Sequence, residues 1–142
     1  MRRTSFAGWP CAVARTMDLL GDQWTMLVLR DAFRGLTRFD EFAASLGIAR
    51  TTLTERLDRL TGAGLLVRER YQLRPPRYEY VLTEAGRAFL PAMAALMRWG
   101  EQWLMHGEPG TSVRHADCGR AAHGVVVCSS CGKPLENGTV HA

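Results

Sequence analysis

Apolar residues recur along this chain at helical spacing in several short stretches, then alternate, then return to helical spacing in one long stretch. A first helix is expected over Cys11 to Leu20, between Pro10 and Gly21, with Val13, Met17 and Leu20 on one face. Asp22 is placed to cap a second helix that runs to about Phe33. Trp24, Leu27 and Val28 form one stripe of this helix, and Met26, Leu29 and Phe33 form another. A helix apolar on most sides is buried, so this one is expected at the centre of the core. Thr37 and Asp40 fit capping-box spacing at the start of a third helix, with Glu41 adding negative charge to its first turn. Phe39, Phe42, Ala43 and Leu46 follow at helical spacing until Gly47. A fourth helix is expected from about Arg50 to Thr61, with Leu53, Leu57 and Leu60 inward and Gly62 and Gly64 at its end.

The period then changes. LLVRERY and YEYVL are β-prone runs joined by QLRPPR, where Pro75 and Pro76 cannot donate ladder hydrogen bonds and therefore belong to the connection. Thr83 caps a last long helix with Phe89, Met93, Leu96, Met97, Gly100 and Leu104 on one face, kinked near its start by Pro91. The reading is a mainly α fold with a small β-hairpin wing (α+β), a winged helix-turn-helix. Residues 1–106 form its domain, 107–112 a linker, and 113–142 a short tail rich in Cys and His. The arginines of the N-terminus precede no apolar run, and no stretch reaches the ~18 apolar residues of a membrane span, so a cytoplasmic protein is expected.

Two short helices with a glycine turn suit a duplex, because the second helix of such a pair fits the major groove, where base edges carry a distinguishable code. Arg50, Thr51 and Thr52 in the first turn of that helix are candidates for base or phosphate contact, and Arg56 for phosphate. Arg38 and Arg59 complete the set on the helix pair. Free N–H groups in the first turn can also hold a phosphate. The competing reading is an ordinary solvated amphipathic helix. The hairpin tips the balance: Arg74 and Arg77 flank the Pro-Pro tip, with Arg68 and Arg70 on the preceding strand. A stiff basic loop suits a minor groove or a run of phosphates. Net charge of +4 and a pI of about 9.2 agree, and nearly all the positive charge is arginine. The alternative function is a winged-helix module that binds protein without reading DNA. No Gly-rich phosphate loop, HExxH or GxSxG occurs, so no enzyme is expected.

The runs CAVARTMDLLGDQWTMLVLRDAFRG, RFDEFAASLGIARTTLTERLDRLTGAGLL and RPPRYEYVLTEAGRAFLPAMAALMRWG together resemble the HxlR family of bacterial regulators, over about Cys11 to Trp103. The resemblance implies a MarR-like winged-helix homodimer, joined through its terminal helices, on pseudo-palindromic double-stranded operators. It leaves the effector, small molecule or oxidant, open. The family often has serine at the start of the reading helix, where this chain has Ala49; a serine cap is worth about 1 kcal/mol over alanine. The resemblance also makes Cys11 a redox-sensing candidate, since several members sense oxidants or electrophiles through a cysteine at this position. A helix N-terminus lowers a thiol pKa, and Arg15 lies one turn on. The other reading of Cys11 is a small packed residue.

The tail has its own chemistry. His115 and Cys118 are separated by two residues, as are Cys128 and Cys131, and glycine follows the second ligand of each pair. That is zinc-knuckle spacing, and two knuckles give a closed tetrahedral site for structural zinc in a zinc-ribbon-like tail. His123 or His141 could stand in for His115. A disordered tail with reduced thiols, or a Cys128–Cys131 disulfide, is the competing reading.

Overall fold

The computed structural model describes residues 4–108 and 110–141. It divides into two compact units, one running to Ala88 and the other from Phe89 to His141.

The first unit is built around a central helix. Helix α1 covers Ala12–Leu20, α2 Gln23–Phe33, α3 Phe39–Leu46 and α4 Arg50–Gly62. They are followed by strands β1, Leu66–Gln72, and β2, Arg77–Leu82, and by a single helical turn, α5, Glu84–Arg87. Helix α2 packs against α1, α3, α4 and β2, as its two apolar stripes required. Val28 and Leu29 are fully buried beside Phe42, Leu53, Leu57, Leu60 and Leu66. Trp24, Met26, Leu27 and Phe33 are only half-buried, while two polar residues of α2, Thr25 and Asp31, are fully buried. The Asp31 carboxylate is held by Arg30 at 2.7 Å and Arg34 at 3.2 Å, which keeps the buried charge paired.

The caps differ in one place from the sequence reading. Asp22 caps α2 as expected, accepting from the N–H groups of Trp24 and Thr25. The cap of α3 is Arg38, not Thr37. The Glu41 carboxylate turns back to accept the N–H groups of both Thr37 and Arg38 at 2.9 Å, so Glu41 rather than Asp40 closes this end. These N–H bonds, from Arg38 first, outweigh the opposing effect of desolvation and hold the Glu41 carboxyl below its ordinary pKa.

The long helix expected after Thr83 is two helices. Thr83 accepts from Gly86 N–H and caps α5, which stops at Arg87. Helix α6, Leu90–Trp103, then begins with Pro91 in its first turn. Proline has no N–H to offer, and its ring would meet the carbonyl of Arg87, so it starts a helix here instead of kinking one. Helix α6 belongs to the second unit, where it buries Met93 and Ala94. Two short antiparallel strands follow, β3, Val113–Arg114, and β4, Ala121–Ala122. Among the described residues no helix is long and apolar enough to cross a membrane.

The entry into α5 leaves no room for a side chain. A Cβ on Gly86 would lie 2.1 Å from the Leu65 carbonyl oxygen and 3.0 Å from Leu82 Cδ2. Gly86→Ala is therefore expected to destabilise the fold by about 1–3 kcal/mol through forced backbone shifts. Urea unfolding checks this; an unchanged midpoint would show that the approach is not close.

Candidate nucleic-acid interface

The helix-turn-helix is set by backbone chemistry that only some residues permit. Gly47 ends α3 at φ +63°, a left-handed conformation favoured by glycine, and its N–H bonds the Ala43 carbonyl at 2.9 Å. Ile48 and Ala49 complete the turn. Ala49 starts α4 with no side-chain cap, as its methyl group dictates. The first-turn N–H groups of α4 are thus without the side-chain oxygen that a serine would supply. Leu53, Leu57 and Leu60 anchor the other face of α4 with no exposure at all.

The arginines divide into two groups. Arg50, Thr51, Arg74 and Arg77 are exposed, and Thr52 is half-buried at the helix edge. The Arg50 guanidinium lies 4.5 Å from the Phe39 ring centroid and 3.0 Å from Asp40, in a pair whose side chains are 71% and 85% exposed. So exposed a pair is worth little and leaves Arg50 free to exchange partners.

Arg56, a candidate for phosphate, and Arg59, the other DNA-contact candidate on this helix, share one carboxylate within the fold. Arg56 Nε donates to Asp22 Oδ1 at 2.9 Å, and Arg59 donates to Asp22 Oδ2 at 2.7 Å. Arg56 also reaches Glu55 at 3.3 Å. Asp22 receives Trp24 N–H, Thr25 N–H and the Thr25 hydroxyl as well. Burial acts to raise the Asp22 pKa. The Thr25 hydrogen bonds and the charges of Arg56 and Arg59 outweigh it and hold the carboxyl below its ordinary value. The sign is that of a depressed carboxylate. Its stabilisation is present above the unfolded-state pKa and is lost as pH falls through the folded one.

The wing is tied to the helix pair by one backbone bond, Tyr80 N–H to the Thr37 carbonyl at 2.7 Å. Strands β1 and β2 pair antiparallel from Leu66–Leu82 to Gln72–Arg77, with a register shift between Arg70 and Gln72. Arg77 therefore lies in β2, and Arg74 in the tip. Arg68 stacks over Tyr78 at 4.0 Å, and Arg38 over Tyr71 at 4.6 Å. These side chains border an open cleft of about 540 Å³ between the start of α3 and the wing. The sequence reading missed Phe39, Tyr71 and Tyr78 as supports for the basic surface. Strand register held the signal, because Tyr78 sits opposite Arg70 and so diagonally next to Arg68.

Cys11 is the N-cap of α1, half-buried, with its sulfur accepting from Ala14 N–H at 3.5 Å. Arg15 is engaged elsewhere, donating from Nε to the Trp9 carbonyl at 2.6 Å. In the tail, Cys128 is half-buried and Cys131 exposed, both as free thiols. His115 faces Asp117, with Nε2 and Oδ2 3.7 Å apart. Among the described residues no three His, Cys, Asp or Glu side chains are grouped closely enough to hold an ion.

Residues 19–108 match the model of the HxlR-like helix-turn-helix family. The chain is 43% identical over 125 residues to Rv3095 of Mycobacterium tuberculosis, named an uncharacterized HTH-type transcriptional regulator; the match covers 87% of this chain and 79% of that protein. It is similar to the crystal structure of PA1607, with a TM-score of 0.83 and 37% identity over 97% of this chain and 99% of that one. It is also similar to the redox regulator HypR in its reduced form, with a TM-score of 0.61 and 31% identity over 68% of this chain and 99% of that one. A family match over more than half the chain, on a helix pair with a basic wing, places this protein in the HxlR-like helix-turn-helix family of DNA-binding transcriptional regulators.

Proposed function

We propose that this DNA-binding transcriptional regulator works as a homodimer that lays α4 in the major groove of duplex DNA and sets its wing on the flanking backbone. The observation that carries this reading is the exposed end of α4. Arg50, Thr51 and Thr52 surround uncapped first-turn N–H groups, while the rest of the helix is anchored by buried leucines and by Asp22. Arg50 and the Thr51 and Thr52 hydroxyls are the base or phosphate contacts. Arg74 and Arg77 meet phosphates or the minor groove, and Arg38 supports them from the start of α3. Such a protein works beside the chromosome, in the cytoplasm.

The dimer reading rests on apolar surface. In the first unit, Val13 and Met17 of α1 are exposed. In the second, α6 and its end expose Leu96, Trp99, Trp103 and Leu104, the two tryptophans at 55% and 60%. Large apolar groups at helical spacing on a terminal helix fit a self-complementary two-fold interface. Two reading heads then imply half-sites about one helical turn apart, or a multiple of it.

Regulation through Cys11 is the accompanying proposal. Its sulfur caps α1 and accepts a backbone N–H, and HypR, a redox regulator, is 31% identical to this chain. Oxidation would remove that cap and alter the start of a helix placed at the dimer seam.

Footprinting on DNA upstream of the gene supplies the operator for two measurements. First, Arg74→Ala with Arg77→Ala should weaken binding and lower the slope of log affinity against log salt by about 1 for each phosphate left without its arginine. A salt-insensitive interaction, or an unchanged slope, would favour the protein-interaction alternative. Second, diamide should lower operator affinity of the wild type but not of Cys11→Ser. Equal weakening in both, or in neither, would remove Cys11 as the sensor.

A further inference from the structure

The tail beyond α6 contains two local folds of the same design. In the first, Gly119 N–H bonds the His115 carbonyl at 2.8 Å, and His115 N–H bonds the Arg120 carbonyl at 3.0 Å. In the second, Gly132 N–H bonds the Cys128 carbonyl at 2.8 Å, and Cys128 N–H bonds the Lys133 carbonyl at 2.8 Å. Both glycines are left-handed, at φ +66° and φ +74°, and a Cβ on either would meet nothing. Glycine is needed at both for backbone conformation, not for space. Each turn is flanked by antiparallel pairing. Strands β3 and β4 join across the first, and Val127 and Pro134 form a bridge across the second.

Cysteine binds metal as the thiolate, and two residues between ligands let both reach one ion. The shared hydrogen-bond pattern puts His115 at the position of Cys128 and Cys118 at that of Cys131. This equivalence selects His115 over His123 and His141.

Hydrophobic burial does not account for these folds. None of the described residues from 111 to 141 is buried, and Val125, Val126, Val127 and Leu135 are all more than half exposed. Ordered segments of this size without a core need a cross-link or a metal. The four cysteines are free thiols.

We propose that His115, Cys118, Cys128 and Cys131 form a structural zinc site that joins the two turns. The turns are formed but stand apart as donors, since among the described residues no three potential ligands are grouped. Zinc closes them: Zn²⁺ displaces one proton from each of the three thiols to solvent and takes the imidazole in its neutral form. Three thiolates and one imidazole complete a tetrahedron with no open position, so the ion organises the tail and catalyses nothing.

The test uses the full-length chain, purified under reducing conditions without chelator. Elemental analysis should find about one zinc per chain. After stripping with a chelator, Co²⁺ should bind with the intense thiolate charge-transfer and d–d bands of a tetrahedral site. Cys118→Ser and Cys128→Ser should each abolish both signals while keeping the helical far-ultraviolet spectrum, and Cys11→Ser should keep the metal. Wild-type protein that neither carries zinc nor takes up Co²⁺ overturns the proposal. So does undiminished metal in either of the two tail serine variants. Wild-type affinity in His115→Asn overturns the assignment of the fourth ligand.

Discussion

The Asp22 carboxylate sets the direction in which the reading helix faces. Its two oxygens accept from the backbone at the start of α2, from the Thr25 hydroxyl, and from Arg56 and Arg59 of α4. One side chain thus caps the central helix and fixes the rotation of the helix proposed to enter the groove. Arg56 and Arg59 are 18% and 29% exposed, which shields the pairing from the weakening that water and salt impose on surface ion pairs. The leucine stripe of α4 supplies most of the adhesion, yet an apolar stripe tolerates small rotations that a charge network does not. Once α4 is set, its exposed first turn and the wing share one support, because Tyr80 bonds the strand to the entrance of α3.

Much of this was legible in residue order. Apolar spacing placed α2 at the centre, and glycine at 47 and 64 marked real left-handed ends. Asp22 was legible as a cap, but its second role was not, because Arg56 and Arg59 lie more than thirty residues away and only the packing of α4 on α2 brings them close. An arginine on a reading helix looks the same in sequence whether it faces phosphate or a half-buried acid. Arg50 and Arg56 differ only in what the core puts beneath them. The break between α5 and α6 was misread for a simpler reason. A proline four residues beyond Arg87 marks a helix start as readily as a kink, and the end of α5 at Arg87 before Pro91 in the first turn of α6 shows which it is here.

The second unit obeys a different economy. Its helix α6 buries only Met93 and Ala94 and leaves two tryptophans in the open, the surface on which the proposed dimer rests. None of its described tail residues is buried. Spacing in the sequence was enough to name the donors of the proposed zinc site. The repeated hydrogen-bond pattern adds what spacing could not, a reason to choose one histidine among three.

The most direct test of the central claim is a double-mutant cycle between Asp22 and Arg59, read both by urea unfolding and by the salt dependence of operator binding. The account predicts a coupling of about 1 kcal/mol in stability, with Arg59→Ala leaving the salt slope of DNA binding unchanged. Coupling indistinguishable from zero, together with a slope lowered by about 1 for each arginine removed, would contradict it and return Arg59 to the phosphate backbone.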